Sequence, residues 1–232
     1  VAIALTGCST VQILYTAPKS EGIKEADNKF YWENDTIRIT YAFWENRGIM
    51  AFSIENKKDF PIYIDWKKSS FINSNVKCDY YLEQEITKSS SASVAANYLY
   101  RSIFDWSRWY PLGVSVAQGE AVKYKFERIT FIPPHSVTGK ATYLIMSNSH
   151  INMSKATERE LGNSKIKGLV LETSKDSSTI FFRNFLTYST KESFENEYYI
   201  NNEFYVRKVI ELGAKHLDEM AEPNRFFLNI NN

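Results

Sequence analysis

Apolar residues fall at every second position through T-I-R-I-T-Y-A-F-W, where Ile37, Ile39, Tyr41 and Phe43 alternate with Arg38, Thr40 and Ala42. That is the period-two pattern of a strand with one buried face. Asn46, Arg47 and Gly48 form a turn signal, after which Met50, Phe52 and Ile54 alternate with Ala51, Ser53 and Glu55, predicting a hairpin. In F-P-I-Y-I-D-W, Phe60, Ile62, Ile64 and Trp66 share a face, and Pro61, which cannot donate a ladder hydrogen bond, belongs at a strand start or edge. Further short strands are predicted at 76–82, 121–131, 141–146, 166–172, 179–188, 196–206 and 225–230. Many short strands separated by turns favour an all-β, antiparallel sandwich over a parallel sheet, which needs intervening helices.

Several segments interrupt this pattern. Residues 16–29 are polar and punctuated by Pro18 and Gly22, as expected of a flexible tether. The run S-S-S-A-S-V-A-A from Ser89 reads as a surface loop. Ser154–Leu161 predicts a brief helix capped by Ser154, and Val209, Leu212, Leu217 and Met220 fall near one face of a second, weakened by Gly213. No internal repeat appears, and no Pro/Gly-rich linker marks a boundary near residue 120. The reading is therefore one elaborated β-sandwich domain over 30–232, with one or two short helices.

The chain opens V-A-I-A-L-T-G-C-S-T, an apolar run that closes on Leu5, Thr6, Gly7 and Cys8 and then turns polar. These four residues resemble the lipobox of bacterial lipoproteins. The resemblance implies that residues 1–7 are the remnant of a signal peptide, that Cys8 carries lipid, and that residues 8–29 tether the body to a membrane. Several acyl chains anchor stably where one binds only marginally. Ser9 after the cysteine resembles lipoproteins sorted to an outer membrane. The blocks F-P-I-Y-I-D-W-K-K-S-S-F-I, from Phe60, and F-I-P-P-H-S, from Phe131, resemble stretches of exported bacterial lipoproteins with Ig-like bodies.

Composition narrows the picture further. Hydrophobic residues make up 44% of the 232, and charged ones 24%, enough to build a folded core. The net charge of +1 supplies no electrostatic reason to expect nucleic acid. At 15%, the aromatic content suits half-buried pleated surfaces. With Cys8 lipidated, Cys78 has no intramolecular partner and is expected to be a buried, inert thiol.

No residue pattern announces catalysis. His135, His150 and His216 are isolated and lack the spacing that places two ligands on one metal. His135 follows two prolines and belongs on an exposed turn. Lys57-Lys58 and Lys67-Lys68 read as turn or edge charges. The protein is thus expected to be non-enzymatic, without cofactor or metal, its partners the membrane and an envelope protein or glycan; an envelope hydrolase whose His and carboxylates converge from distant positions is the remaining alternative. Trp106, Trp109 and Tyr110, flanked by Arg108, are the candidate ligand site: flat rings stack on sugars while the guanidinium bonds hydroxyls, although such residues also dominate sandwich cores.

Overall fold

The computed structural model describes residues 9–81, 86–88, 99–101, 109–111, 122–124, 127–147, 150–161 and 166–230. Along the chain the strands are β1 (Thr10–Pro18), β2 (Lys24–Ala26), β3 (Lys29–Glu33), β4 (Ile37–Ala42), β5 (Ile49–Asn56), β6 (Ile62–Asp65), β7 (Ser70–Asn73) and β8 (Val76–Asp79). They continue with β9 (Ile86–Lys88), β10 (Leu99–Arg101), β11 (Trp109–Pro111), β12 (Val122–Tyr124), β13 (Ile129–Ile132) and β14 (Val137–Leu144). The last are β15 (Thr157–Leu161), β16 (Ile166–Glu172), β17 (Phe181–Ser189), β18 (Tyr198–Gly213) and β19 (Arg225–Ile230).

The protein is mainly β, as the alternation predicts, and every described ladder pair is antiparallel. The larger sheet runs β13-β6-β17-β18-β1-β19, with β7, β8, β15 and β16 joined to it, and the smaller runs β14-β5-β4-β3-β2. The sixteen-residue β18 is the spine of the larger sheet. One of its edges pairs with β1 from Phe204 to Gly213, with a bulge between Tyr15 and Thr16; the other is shared by β17 over its first half and β16 over its second. Pairing of β5 with β14 and of β6 with β13 carries both sheets across residue 120.

The core between the sheets is rich in rings. Phe204 lies 5.5 Å from Phe30, 4.9 Å from Tyr41 and 5.1 Å from Phe43, centroid to centroid. Edge-to-face contacts of this kind add to the free energy of burying the rings. Gly48 admits the close approach at the end of the β4–β5 connection: its φ is +67°, and a Cβ there would meet the Phe226 ring at 2.8 Å.

The segment 16–29 is a correction to the sequence reading. It is not a tether. The fold is already under way at Thr10, and β1 lies between β18 and β19, pairing with both. Val11, Ile13 and Tyr15 are buried on one side of β1 and Leu14 on the other. A strand covered on both faces reads as a continuous apolar run rather than an alternation. Pro18 ends the strand, and the backbone N–H groups of Lys19 and Ser20 donate to the Glu203 carbonyl. Asp27 and Asn28, both left-handed with φ of 50° and 55°, form the two-residue turn of the β2–β3 hairpin. Ser74 and Asn75 do the same between β7 and β8.

The two expected helices are also corrected. Ser154–Leu161 resolves into the exposed edge strand β15, whose T-E-R-E-L carries charges that discourage further pairing. Val209–Gly213 continues β18, and only 3-10 turns follow, at Ala214–His216 and Asp218–Met220. Val209 and Ile210 are both buried because each face of β18 is covered there, which gave the stretch a false helical period.

Candidate functional site

Three arrangements of side chains stand out. The first surrounds Trp66. Asp65 is buried and caps the turn Trp66–Lys68, accepting from the backbone N–H of Lys67 at 2.9 Å and of Lys68 at 3.3 Å. Its other oxygen accepts from Arg128 Nη2 at 3.3 Å. The Trp66 indole donates to Thr130 Oγ1 at 2.8 Å, and that hydroxyl donates to Glu127 Oε2 at 2.8 Å. Over the indole sits Lys140 of β14, its Nζ 4.2 Å from the Trp66 ring centroid and 5.7 Å from that of Tyr80. Burial pushes the Lys140 ammonium down to about 8, opposed by the Glu127 carboxylate. The ring face also favours the charged form.

The register explains how a lysine reaches this position. Lys140 lies opposite Phe52 of β5, whose side chain is fully buried. On β14 the apolar Val137 is exposed while Lys140 turns toward the rings. The strand's pattern is inverted, so Lys140 reads from sequence as an ordinary solvated charge, and only its pairing with β5 reveals it.

From Tyr80 a chain of polar groups crosses the core. The Tyr80 hydroxyl donates to Asn184 Oδ1 at 2.9 Å, and Asn184 Nδ2 donates to the Tyr41 oxygen at 3.3 Å. Asn202 Nδ2 donates to the same oxygen at 2.9 Å. Burial holds both phenols well above their usual range, so they are neutral hydrogen-bonding groups. The chain clasps β4 of one sheet to β17 and β18 of the other.

The third arrangement is on the outer face of the larger sheet, at the end where β17 turns into β18. Phe131 is 52% exposed and Tyr199 61%. Phe131 meets Tyr63 edge-on at 5.7 Å, and Tyr199 stacks on Phe185 at 5.9 Å. Beside the second pair, Lys68 is ion-paired with Glu197, whose other oxygen accepts from the Tyr199 hydroxyl at 2.7 Å. Lys68 and Tyr199 together hold the Glu197 carboxyl below its ordinary value. Accessible rings and hydrogen-bonding groups therefore occur together at Tyr199, with a second exposed ring at Phe131 on the same sheet.

The residues singled out in the sequence are distributed differently. Cys8, Trp106 and Arg108 lie outside the described residues. Trp109 and Tyr110 are consecutive in the short ladder of β10 with β11, opposite Arg101 and Tyr100. His135 is on an exposed turn, 2.7 Å from Asp59, as expected. His216 partners Glu219 at 3.1 Å, and His150 lies beside Gln12. Among the described residues no three His, Cys, Asp or Glu side chains gather to hold a metal ion. Cys78 is half-buried against the main core rather than enclosed by it; burial, and then Asp79, push its thiol up, which keeps it protonated. No protein-family model matches the chain, and no curated protein or solved structure is similar to it.

Proposed function

We propose that this chain is a lipid-anchored module of the bacterial cell envelope, attached through Cys8 and sorted to the outer membrane, that acts by binding or by structural support rather than by catalysis. The observation that carries the reading is the tetrad Leu5-Thr6-Gly7-Cys8, two residues ahead of β1, which begins at Thr10. The body is read as an Ig-like sandwich with an extended larger sheet, a reading supported by antiparallel pairing and an aromatic core between two sheets. Expression behind a complete signal segment in a lipoprotein-processing host tests the anchor. Mass spectrometry is expected to find acyl chains on Cys8, and Cys8→Ala is expected to move the protein from the detergent phase to the aqueous one. A wild-type protein that stays aqueous overturns the proposal.

One observation favours a glycan as the bound partner. The exposed rings of Phe131 and Tyr199, with Glu197 and Lys68 beside Tyr199, offer flat faces and hydrogen-bonding groups. The sequence expectation of the same chemistry at Trp106, Arg108, Trp109 and Tyr110 belongs to this reading. Titration with envelope oligosaccharides, followed by intrinsic fluorescence, is expected to saturate in the wild type and weaken in Tyr199→Ala. A flat titration removes the glycan reading.

A further inference from the structure

The two ends of the larger sheet stand in very different relations to Cys8. Ser9 alone separates Cys8 from the first residue of β1, and Ser9 is itself held, its carbonyl accepting from the Ala214 backbone N–H at 2.9 Å. Successive Cα atoms are about 3.8 Å apart, so the Cys8 Cα stays within about 8 Å of that of Thr10. Thr10 pairs with Gly213 on one side and with Ile230 on the other. β15 ends and β16 begins at the same end, with Leu161 opposite Ile166, because Leu169 already pairs with Glu211. The turns Ala214–His216 and Asp218–Met220 follow directly from Gly213. At the far end Tyr198 pairs with Tyr188, and Ser189 with Tyr63. At roughly 3.3 Å per residue, the length of β18 sets the two ends about 50 Å apart.

Resting on the lipid-anchor reading, we infer that the protein stands upright on the bilayer: the Ala214–Met220 turns and the near ends of β15 and β16, at Leu161 and Ile166, contact phospholipid headgroups, and the end bearing Phe131 and Tyr199 points away. A leash this short holds the near end at the bilayer surface, a length of β18 from the far end. Among the described residues the exposed charges at the near end are of both signs, Lys167 and Lys215 against Asp218 and Glu219. The leash, not electrostatic attraction, therefore holds this end down, and the orientation is insensitive to salt.

The test uses the acylated full chain in phosphatidylethanolamine–phosphatidylglycerol vesicles whose headgroups carry a quencher. A fluorophore is placed through a keto-bearing amino acid at Lys215 in one preparation and at Glu192, in the exposed β17–β18 connection, in another. Strong quenching at position 215 and its loss at 192, unchanged by added salt, is the expected result. A Gly/Ser insertion of about twenty residues between Ser9 and Thr10, with a reach of roughly 25 Å, is expected to reduce the quenching at 215. Equal quenching at both positions of a protein shown to be acylated overturns the orientation and leaves the anchor standing. An unacylated Cys8 in the same preparation overturns both.

Discussion

The core between the sheets and the smaller core behind β1 meet across two strands, β1 and β18, but are built from different residues. The larger is a stack of rings, Phe30, Tyr41, Phe43, Phe52, Phe182 and Phe204 among them, threaded by amides and phenols. The smaller is mostly aliphatic, with Val11, Ile13, Val170, Ile210 and Leu212 closed over by Trp44 and by Leu217 and Met220 of the 3-10 segment. Tyr15 brings a phenol into it, its ring approached by Lys208 at 4.1 Å and Arg225 at 4.3 Å. The sheets hold the first core together along their whole faces. A short irregular segment and one tryptophan complete the second. The difference teaches that the far end of the molecule is fixed by sheet packing, while the end next to Cys8 depends on β1 being buried twice.

The largest effect is expected from the larger core. Phe204→Ala removes the ring that touches four others and is expected to cost about 3–5 kcal/mol, read as a lower urea midpoint with an unchanged slope. Ile13→Ala in the smaller core is expected to cost about 2–4 kcal/mol but to act locally. In hydrogen exchange, amides of β16 and of the last turn of β18 should open before those of β4 and β5. Simultaneous loss of protection in all four strands would show the two cores to be one cooperative unit.

Tyr41→Phe sharpens the contrast from within. It takes away one oxygen and leaves the amides of Asn184 and Asn202 facing a ring edge inside the core. An unpaired buried donor costs about 1–3 kcal/mol, so this near-isosteric change is expected to destabilise by that order. Chemical denaturation decides it: a neutral result would mean that the clasp between the sheets contributes nothing.

The same contrast explains which parts of the fold the sequence revealed. The β4–β5 hairpin was legible because β4 turns one face into the larger core and leaves the other partly exposed, so Ile37, Ile39 and Tyr41 alternate cleanly with Arg38 and Thr40, and because the second face of β5, though buried, carries the small Ala51 and Ser53 between Met50, Phe52 and Ile54. β1 was not, because Val11, Ile13 and Leu14 are buried on opposite faces and leave no alternation. β15 was hidden for the converse reason: four of its five residues are exposed. The turns Asp27-Asn28 and Ser74-Asn75 lack the glycine that marks most two-residue hairpins, although Asn and Asp tolerate the left-handed conformation best among other residues. At the candidate site, Tyr199 and Phe131 were embedded in stretches read only as strands. Their exposure follows from register and from which face the turns and loops leave uncovered, and neither is a local property.

The smallest effect concerns the lysines that each core holds against a ring, Lys140 on Trp66 and Lys208 on Tyr15. Burial lowers both, with Arg207 and Arg225 adding to the shift at Lys208, and Lys140 falls to about 8 from 10.5. Below pH 8 Lys140 is charged in the folded and unfolded states alike, and the folded state bears the cost of burying that charge. Between pH 8 and 10.5 the folded protein has released the proton while the unfolded chain still binds it, so stability rises with pH and levels off above. The Trp66 ring, which favours the charged ammonium, offsets part of that cost. Lys140→Met, of similar length and without charge, is therefore expected to be more stable than the wild type at pH 7 and to lose that advantage by pH 10.5. The phenols of Tyr41 and Tyr80, raised above 10 in the folded state, pull stability down at high pH in both proteins and cancel in the difference. Paired urea titrations at pH 7, 9 and 10.5 measure that difference, and a gap that stays constant or widens with pH would remove Lys140 from the account.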